Sequence, residues 1–159
     1  MRILGIDPGS RVTGYGIVEK GPGTLTSPRY GEIKISGGAA LEICLPRVYD
    51  TLMDVVRQEK PDALAVEDIF YGKNVKSLIK QGHVRGVALL VGCHNGLPIY
   101  HYSPLEVKKA VVGYGRAEKI QVQKMVQAIL TLPVLPSADA SDALAVGICH
   151  LNTLRGSRP

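Results

Sequence analysis

The opening stretch, MRILGIDPGSRVTGYG, limits what this chain can fold into more than any other segment. An unbroken apolar run at residues 3–6 has the pattern of a buried strand, and Asp7 closes it. Pro8, Gly9 and Ser10 follow at once. Pro and Gly stop a strand and turn the chain, so the next strand-like run, residues 14–18, returns beside the first. Asp7 therefore stands at the mouth of a rigid strand with a hairpin of small residues next to it. A carboxylate held this way suits a metal or a phosphate, because a rigid element places a ligand better than a loop does. Simple capping of the turn accounts for the same residue equally well.

A second wholly apolar run, residues 63–66, ends on Glu67 and Asp68. Strands apolar at every position are buried on both faces, which places this one centrally and parallel to the first. Between the two, residues 21–28 form a turn into a third strand at 30–35, giving an antiparallel meander. Gly37 and Gly38 break it, and Val48, Leu52, Val55 and Val56 then recur at helical spacing up to Pro61. Pro46 marks either the first turn of this helix or a kink in a longer one. The strand–helix–strand crossover sets Asp7 and Glu67 side by side at strand ends, where open α/β sheets form ligand clefts.

Residues 75–95 read as a long helix on which Gly82 and Gly86 share a face. That pair predicts close packing against another helix, of this chain or of a second subunit. Residues 97–102 are a short strand, and Ser103-Pro104-Leu105-Glu106 is a helix start with cap, N1 proline and capping glutamate. After a glycine turn at 113–116, Val122, Met125, Val126 and Ile129 mark an amphipathic helix ended by Pro133 and Pro136. A last helix runs from about 137 to 152. The expected architecture is α/β: a five-stranded mixed sheet, three strands antiparallel and two parallel, flanked by helices. Residues 1–153 form a single domain and 154–159 a short basic tail.

At 159 residues the chain supports one proper core, and 45% hydrophobic with 21% charged residues excludes a disordered polypeptide. The net charge of +5 favours a polyanion as partner. The longest apolar stretch, residues 87–91, is far too short to cross a bilayer, and the N-terminus has no signal-peptide pattern. Cys44, Cys93 and Cys149 lack metal-ligand spacing and are expected as buried thiols in a reducing cytoplasm.

The last helix carries Asp139 and Asp142, whose spacing puts both on one face near its start. Helix N-termini favour acids in any case, which is reason enough for Asp139. Asp142 is different, because the almost wholly apolar residues after it bury this helix against the sheet. If Asp7, Glu67, Asp139 and Asp142 converge, repulsion is severe: two unit charges about 4 Å apart repel by roughly 4 kcal/mol at an effective dielectric near 20. The cluster then needs protons or cations. Oxygen ligands alone select Mg²⁺ or Mn²⁺. Two such ions about 3.5–4 Å apart are a common device for attack of water on a phosphodiester.

Four motifs in this order, GIDPGSRVTGYG, LAVED followed by IFYGKN, VVGYGRAEK and ADASDALAVGICH, resemble the RuvC-type Holliday-junction resolvases over nearly the whole chain. The resemblance implies a ribonuclease-H-like fold, a cytoplasmic homodimer, and symmetric nicking of four-way DNA junctions in strands of like polarity during recombination and repair. It implies two Mg²⁺ per subunit, with Mn²⁺ able to substitute, and cooperation with the RuvA and RuvB branch-migration proteins. The family's catalytic and metal-binding acids fall on Asp7, Glu67, Asp139 and Asp142.

By the same similarity, Phe70 would stack on unpaired bases near the junction centre, although a lid on the core is the plainer use for it. Lys108 and Lys119 match family lysines near the scissile phosphate. Lys73, Lys76, Lys80 and Arg85, with Lys109, Arg116 and Lys124, would make a backbone-binding surface, although each alone suits a solvated helix face. Asp68 stands where an amide is common in this family; its charge would shift metal preference or hinder DNA, unless it faces away. Pro46 is a further departure, and His83, His94, His101 and His150 are expected as structural or surface residues. Three rival readings remain: a YqgF-like RNA-processing nuclease, an actin-like or sugar-kinase-like ATPase, and a non-catalytic junction-binding module. The ADASDAL ending argues against the first, chain length against the second, and retention of all four acids against the third.

Overall fold

The computed structural model describes residues 1–35, 38–69 and 74–156. Two strands, β1 (Arg2–Asp7) and β2 (Val12–Lys20), pair antiparallel, with Asp7 opposite Gly14. A two-residue strand, β3 (Leu25–Thr26), and then β4 (Tyr30–Lys34) both pair with β2, at opposite ends of it. Helix α1 (Leu41–Glu59) crosses back to β5 (Ala63–Glu67), which lies parallel to β1 with Val66 beside Ile6. Helix α2 (Val75–His94) leads to β6 (Ile99–Tyr102), parallel to β5. Three helices finish the chain: α3 (Pro104–Val112), α4 (Lys119–Leu130) and α5 (Ala138–Gly156).

The sheet is mixed and flanked by helices, as expected, but has six strands rather than five. The addition is β3, inside the segment read as a turn. It is too short to carry any periodicity and exists because the long β2 offers it an edge. Pro46 lies inside α1, so the longer-helix alternative holds. Its ring faces solvent, where water can serve the carbonyl that loses its partner. Helix α5 continues to Gly156, past the point where a tail was expected. Met125 is 39% exposed, so the buried face of α4 runs through Val122, Val126 and Leu130 instead. Cys44 and Cys149 are buried, but Cys93 is exposed, contrary to expectation.

Alternation along the central strands divides the core. Leu4, Ile6, Ile17, Leu64 and Val66 face α1 and α2, packing on Val48, Leu52, Val84 and Ala88. Ile3, Val18, Ala63 and Ala65 face the other layer, with Val107, Val122, Leu144 and Ile148. The residues on this second face are small, and α5 comes very close. A Cβ on Gly5 would overlap the carbonyl oxygen of Ala143, and one on Gly14 that of Asp139. Close seating of α5 brings the acids of its first turns to the ends of β1 and β5.

Candidate active site

Asp7 and Glu67 end neighbouring parallel strands, so backbone register alone puts their side chains together. Asp142 reaches the same place from α5. The three acids line one cleft of about 400 Å³ with Ser10, Gln81, Lys108 and Lys119. Lys119 is the first residue of α4, held there because Gln121 Oε1 accepts the Glu118 amide proton at 2.8 Å. Its Nζ lies 3.6 Å from Asp142 Oδ2. Lys108 comes from α3, whose start is fixed by the capping box predicted at Ser103 and Glu106. Ser10 Oγ bonds Ser77 Oγ at 2.7 Å, tying the turn after β1 to α2.

Electrostatics mark this cleft as short of positive charge. Burial, then the Asp142 charge, pushes the Asp7 carboxyl up to about 6. Burial, the Asp7 charge and a hydrogen bond to Asp7 push Glu67 up to about 9. Burial also raises Asp142, against the pull of Lys119. Two carboxylates that must share a proton are stabilised when a cation replaces it. Among the described residues no group of three or more Asp, Glu, His or Cys side chains is arranged to hold an ion as it stands. The donor set nevertheless fits a hard divalent cation. It is all oxygen, crowded with like charge and partly buried.

Not every predicted residue converges. Asp139 does not line the cleft; it lies beside Glu32, whose charge adds to burial in raising its carboxyl, and its own charge is felt at Asp7 and Asp142. Lys76 and Lys80 border a separate depression with Ala39 and Ile79. Arg85 is engaged by Asp68 at 2.7 Å. Lys109, Arg116 and Lys124 are exposed. Phe70 and Lys73 lie outside the described residues. Of the histidines, His83, His94 and His101 are on the surface and His150 is buried. The sequence reading missed Ser10 and Gln81 as cleft residues. Ser77 and Gln81 recur at helical spacing on α2, the one local sign that this face meets the acids. Glu32 gave no sign, because strand pairing alone brings it to Asp139.

A mixed sheet with acids at its central strand ends, closed by an acidic helix and two lysines, defines the class of ribonuclease-H-like, metal-dependent nucleases. Comparison with known proteins narrows this. The family model Crossover junction endodeoxyribonuclease RuvC matches residues 3–150. The chain is 48% identical over 153 residues to the Crossover junction endodeoxyribonuclease RuvC of Geobacter metallireducens, covering 96% of this chain and 93% of that one. It is 52% identical over 150 residues to the protein of that name from Syntrophotalea carbinolica, covering 94% and 93%. The fold superposes on T. thermophilus RuvC in complex with Holliday junction substrate with a TM-score of 0.91, at 32% identity over 98% of this chain and 96% of that one. The chain belongs to the RuvC family of crossover junction endodeoxyribonucleases. It is therefore a structure-specific endodeoxyribonuclease of a metal-dependent family.

Proposed function

We propose that this chain resolves four-way DNA junctions as a homodimer, using Asp7, Glu67, Asp139 and Asp142 to hold two Mg²⁺ per subunit, with Mn²⁺ able to substitute. The observation that carries this reading is the pair of half-buried carboxylates at adjacent strand ends, lining one cleft with Asp142 and two lysines. Bound divalent ions would supply charge neutralisation and an activated water for in-line hydrolysis of the phosphodiester.

The chain's own groups do the rest. Asp7 and Glu67, both raised by burial and by repulsion among the acids, would have to be ionised to hold the cations, which would tie activity to neutral and alkaline pH. Asp139, at the rim, joins as the second acid of α5. Lys108 and Lys119 sit where a scissile phosphate meets the acids and hold its oxygens; Lys119 leaves Asp142 to do so. Phe70 stacks on unpaired bases at the junction, and the basic side chains Lys73, Lys76 and Lys80 meet the arms. Arg85, already paired with Asp68, is the weak member of that set. Hydrolysis leaves nicks with 5′-phosphate and 3′-hydroxyl ends in strands of like polarity. Work in the cytoplasm alongside RuvA and RuvB completes the proposal. Among the described residues no helix is long and apolar enough to cross a membrane.

The test is cleavage of a labelled mobile four-way junction with Mg²⁺, comparing the wild type with Asp7→Asn and with a linear duplex as control. Paired nicks by the wild type, and binding without cutting by Asp7→Asn, are expected. Binding without cleavage by the wild type, even with Mn²⁺, would make this a junction-binding module. Indifference to junctions with cleavage of RNA would make it an RNA-processing nuclease.

A further inference from the structure

Asp68 follows Glu67 directly, yet its side chain leaves the cleft. Its Oδ1 accepts from Arg85 Nη2 at 2.7 Å, and the same Nη2 donates to His101 Nδ1 at 2.8 Å. The Asp68 amide donates to the Tyr102 carbonyl at 2.8 Å, carrying the β5–β6 ladder one residue beyond Glu67. Three elements thus grip one residue: β5 through the chain, β6 through a backbone bond and His101, α2 through Arg85. Arg85 is shielded, with its side chain 21% exposed, whereas Asp68 is 46% exposed. Both bonds leave from the one nitrogen Nη2, and the buried Nε has no partner among the described residues, so the guanidinium is anchored at one corner and held inside the fold. The charge on Asp68 is compensated locally rather than added to the acid cluster.

We propose that Arg85 is a positioning residue: by clamping Asp68 between α2 and β6 it fixes the backbone that carries Glu67, and so sets how readily the acid cluster accepts a divalent cation. This rests on Glu67 being a metal ligand. Groups one step behind the ligands typically change metal affinity or activity by about 10- to 100-fold when removed. The clamp belongs in that range, because Glu67 must turn from its bond with Asp7 toward an ion without the strand end following it.

The experiment measures three quantities for wild type, Arg85→Ala, Arg85→Lys, Asp68→Ala, the Asp68→Ala/Arg85→Ala double variant and Glu67→Gln. They are the Mg²⁺ midpoint for junction cleavage, the Mg²⁺-induced rise in melting temperature, and metal-free junction affinity against salt. Arg85→Ala should raise the Mg²⁺ midpoint about 10-fold or more and shrink the thermal rise, with the salt slope unchanged. The double variant should be no worse than either single one, since both remove one clamp. Arg85→Lys should recover part of the loss. If Arg85→Ala instead weakens metal-free binding and lowers the salt slope by about one, Arg85 contacts a phosphate and the proposal fails. An unchanged Mg²⁺ midpoint in folded Arg85→Ala, or in Asp68→Ala should Arg85→Ala not fold, overturns it too. If Glu67→Gln keeps the full thermal response to Mg²⁺, the assignment of Glu67 as a ligand is what has failed, and the clamp proposal falls with it.

Discussion

Asp7 and Glu67 meet at the ends of adjacent strands, and their closeness has a pH signature. Both carboxyls are raised in the folded chain, Asp7 to about 6 and Glu67 to about 9. A raised acid binds more protons folded than unfolded, so its contribution to stability is complete below its unfolded value and is lost as pH climbs through the folded one. Metal-free protein should therefore lose stability between about pH 4 and pH 9, and Mg²⁺ should restore it by replacing the proton. The expected melting curves show a Mg²⁺-induced rise that is slight near about pH 5.5 and large near about pH 8.5. A rise independent of pH would mean the ion binds elsewhere. His150 acts with the opposite sign. It is buried against Tyr100 and Tyr102, its Nδ1 shares a 2.7 Å hydrogen bond with the Tyr102 hydroxyl, and burial lowers its value below 6.5. Stability from its neutral form is present above 6.5 and lost as pH falls through the lowered value. Replacing it with Phe should flatten the acid limb of a stability-against-pH curve while leaving the Mg²⁺ response unchanged.

Helix α5 is the element on which the site depends, since it brings Asp139 and Asp142 to strands that already carry Asp7 and Glu67. Its seating rests on glycines under it. A Cβ on Gly14 would overlap the backbone of Asp139, which cannot yield without lifting the first turn of α5; one on Gly16 meets side-chain atoms, of Leu144 and Tyr30. Gly14→Ala should therefore cost about 1–3 kcal/mol of stability and most of the cleavage activity, while Gly16→Ala costs stability but spares activity. Melting temperature and cleavage rate measured together check the contrast. The sequence announces β1, β5 and α5 because each is an apolar run bounded by turn residues or acids. It announces α3 because Ser103, Pro104 and Glu106 write a cap into neighbouring positions. It does not announce β3, whose two residues become a strand only against β2. The four acids are legible as candidates from two strand ends and one helix spacing, but how they assemble is not: three line one cleft and Asp139 stands at the rim. Glu32 beside Asp139 and Arg85 on Asp68 are contacts made by tertiary folding, 107 and 17 positions apart, and no local pattern encodes them.

At the scale of the whole molecule, one face of α2 has no covering within the described residues of this chain. Ile79, Gly82, His83, Gly86, Val87 and Leu90 line an open groove of about 480 Å³. A Cβ on Gly86 would meet nothing within 4 Å, and one on Gly82 only Ile69 Cδ1 at 3.9 Å. Among the described residues, the close packing predicted for this glycine pair is thus not found. Ile79 and Leu90 remain 56% and 45% exposed. In the proposed homodimer, a second copy laid across the groove about a two-fold axis would cover the same patch on both partners, as an isologous interface requires. It also gives a symmetric junction two acid clusters, one for each strand to be cut. The substitution Leu90→Asp places a charge on that patch. Since the residue is exposed, the monomer should still fold, with an unchanged helical signal in circular dichroism. Light scattering should show the mass falling from that of a dimer to that of one chain. On a supercoiled plasmid carrying an extruded cruciform, the wild type should linearise the DNA with two coupled cuts, whereas Leu90→Asp should give slow, single nicks. If the variant stays dimeric and still makes paired cuts, subunits meet through another surface and the exposed face of α2 needs a different partner.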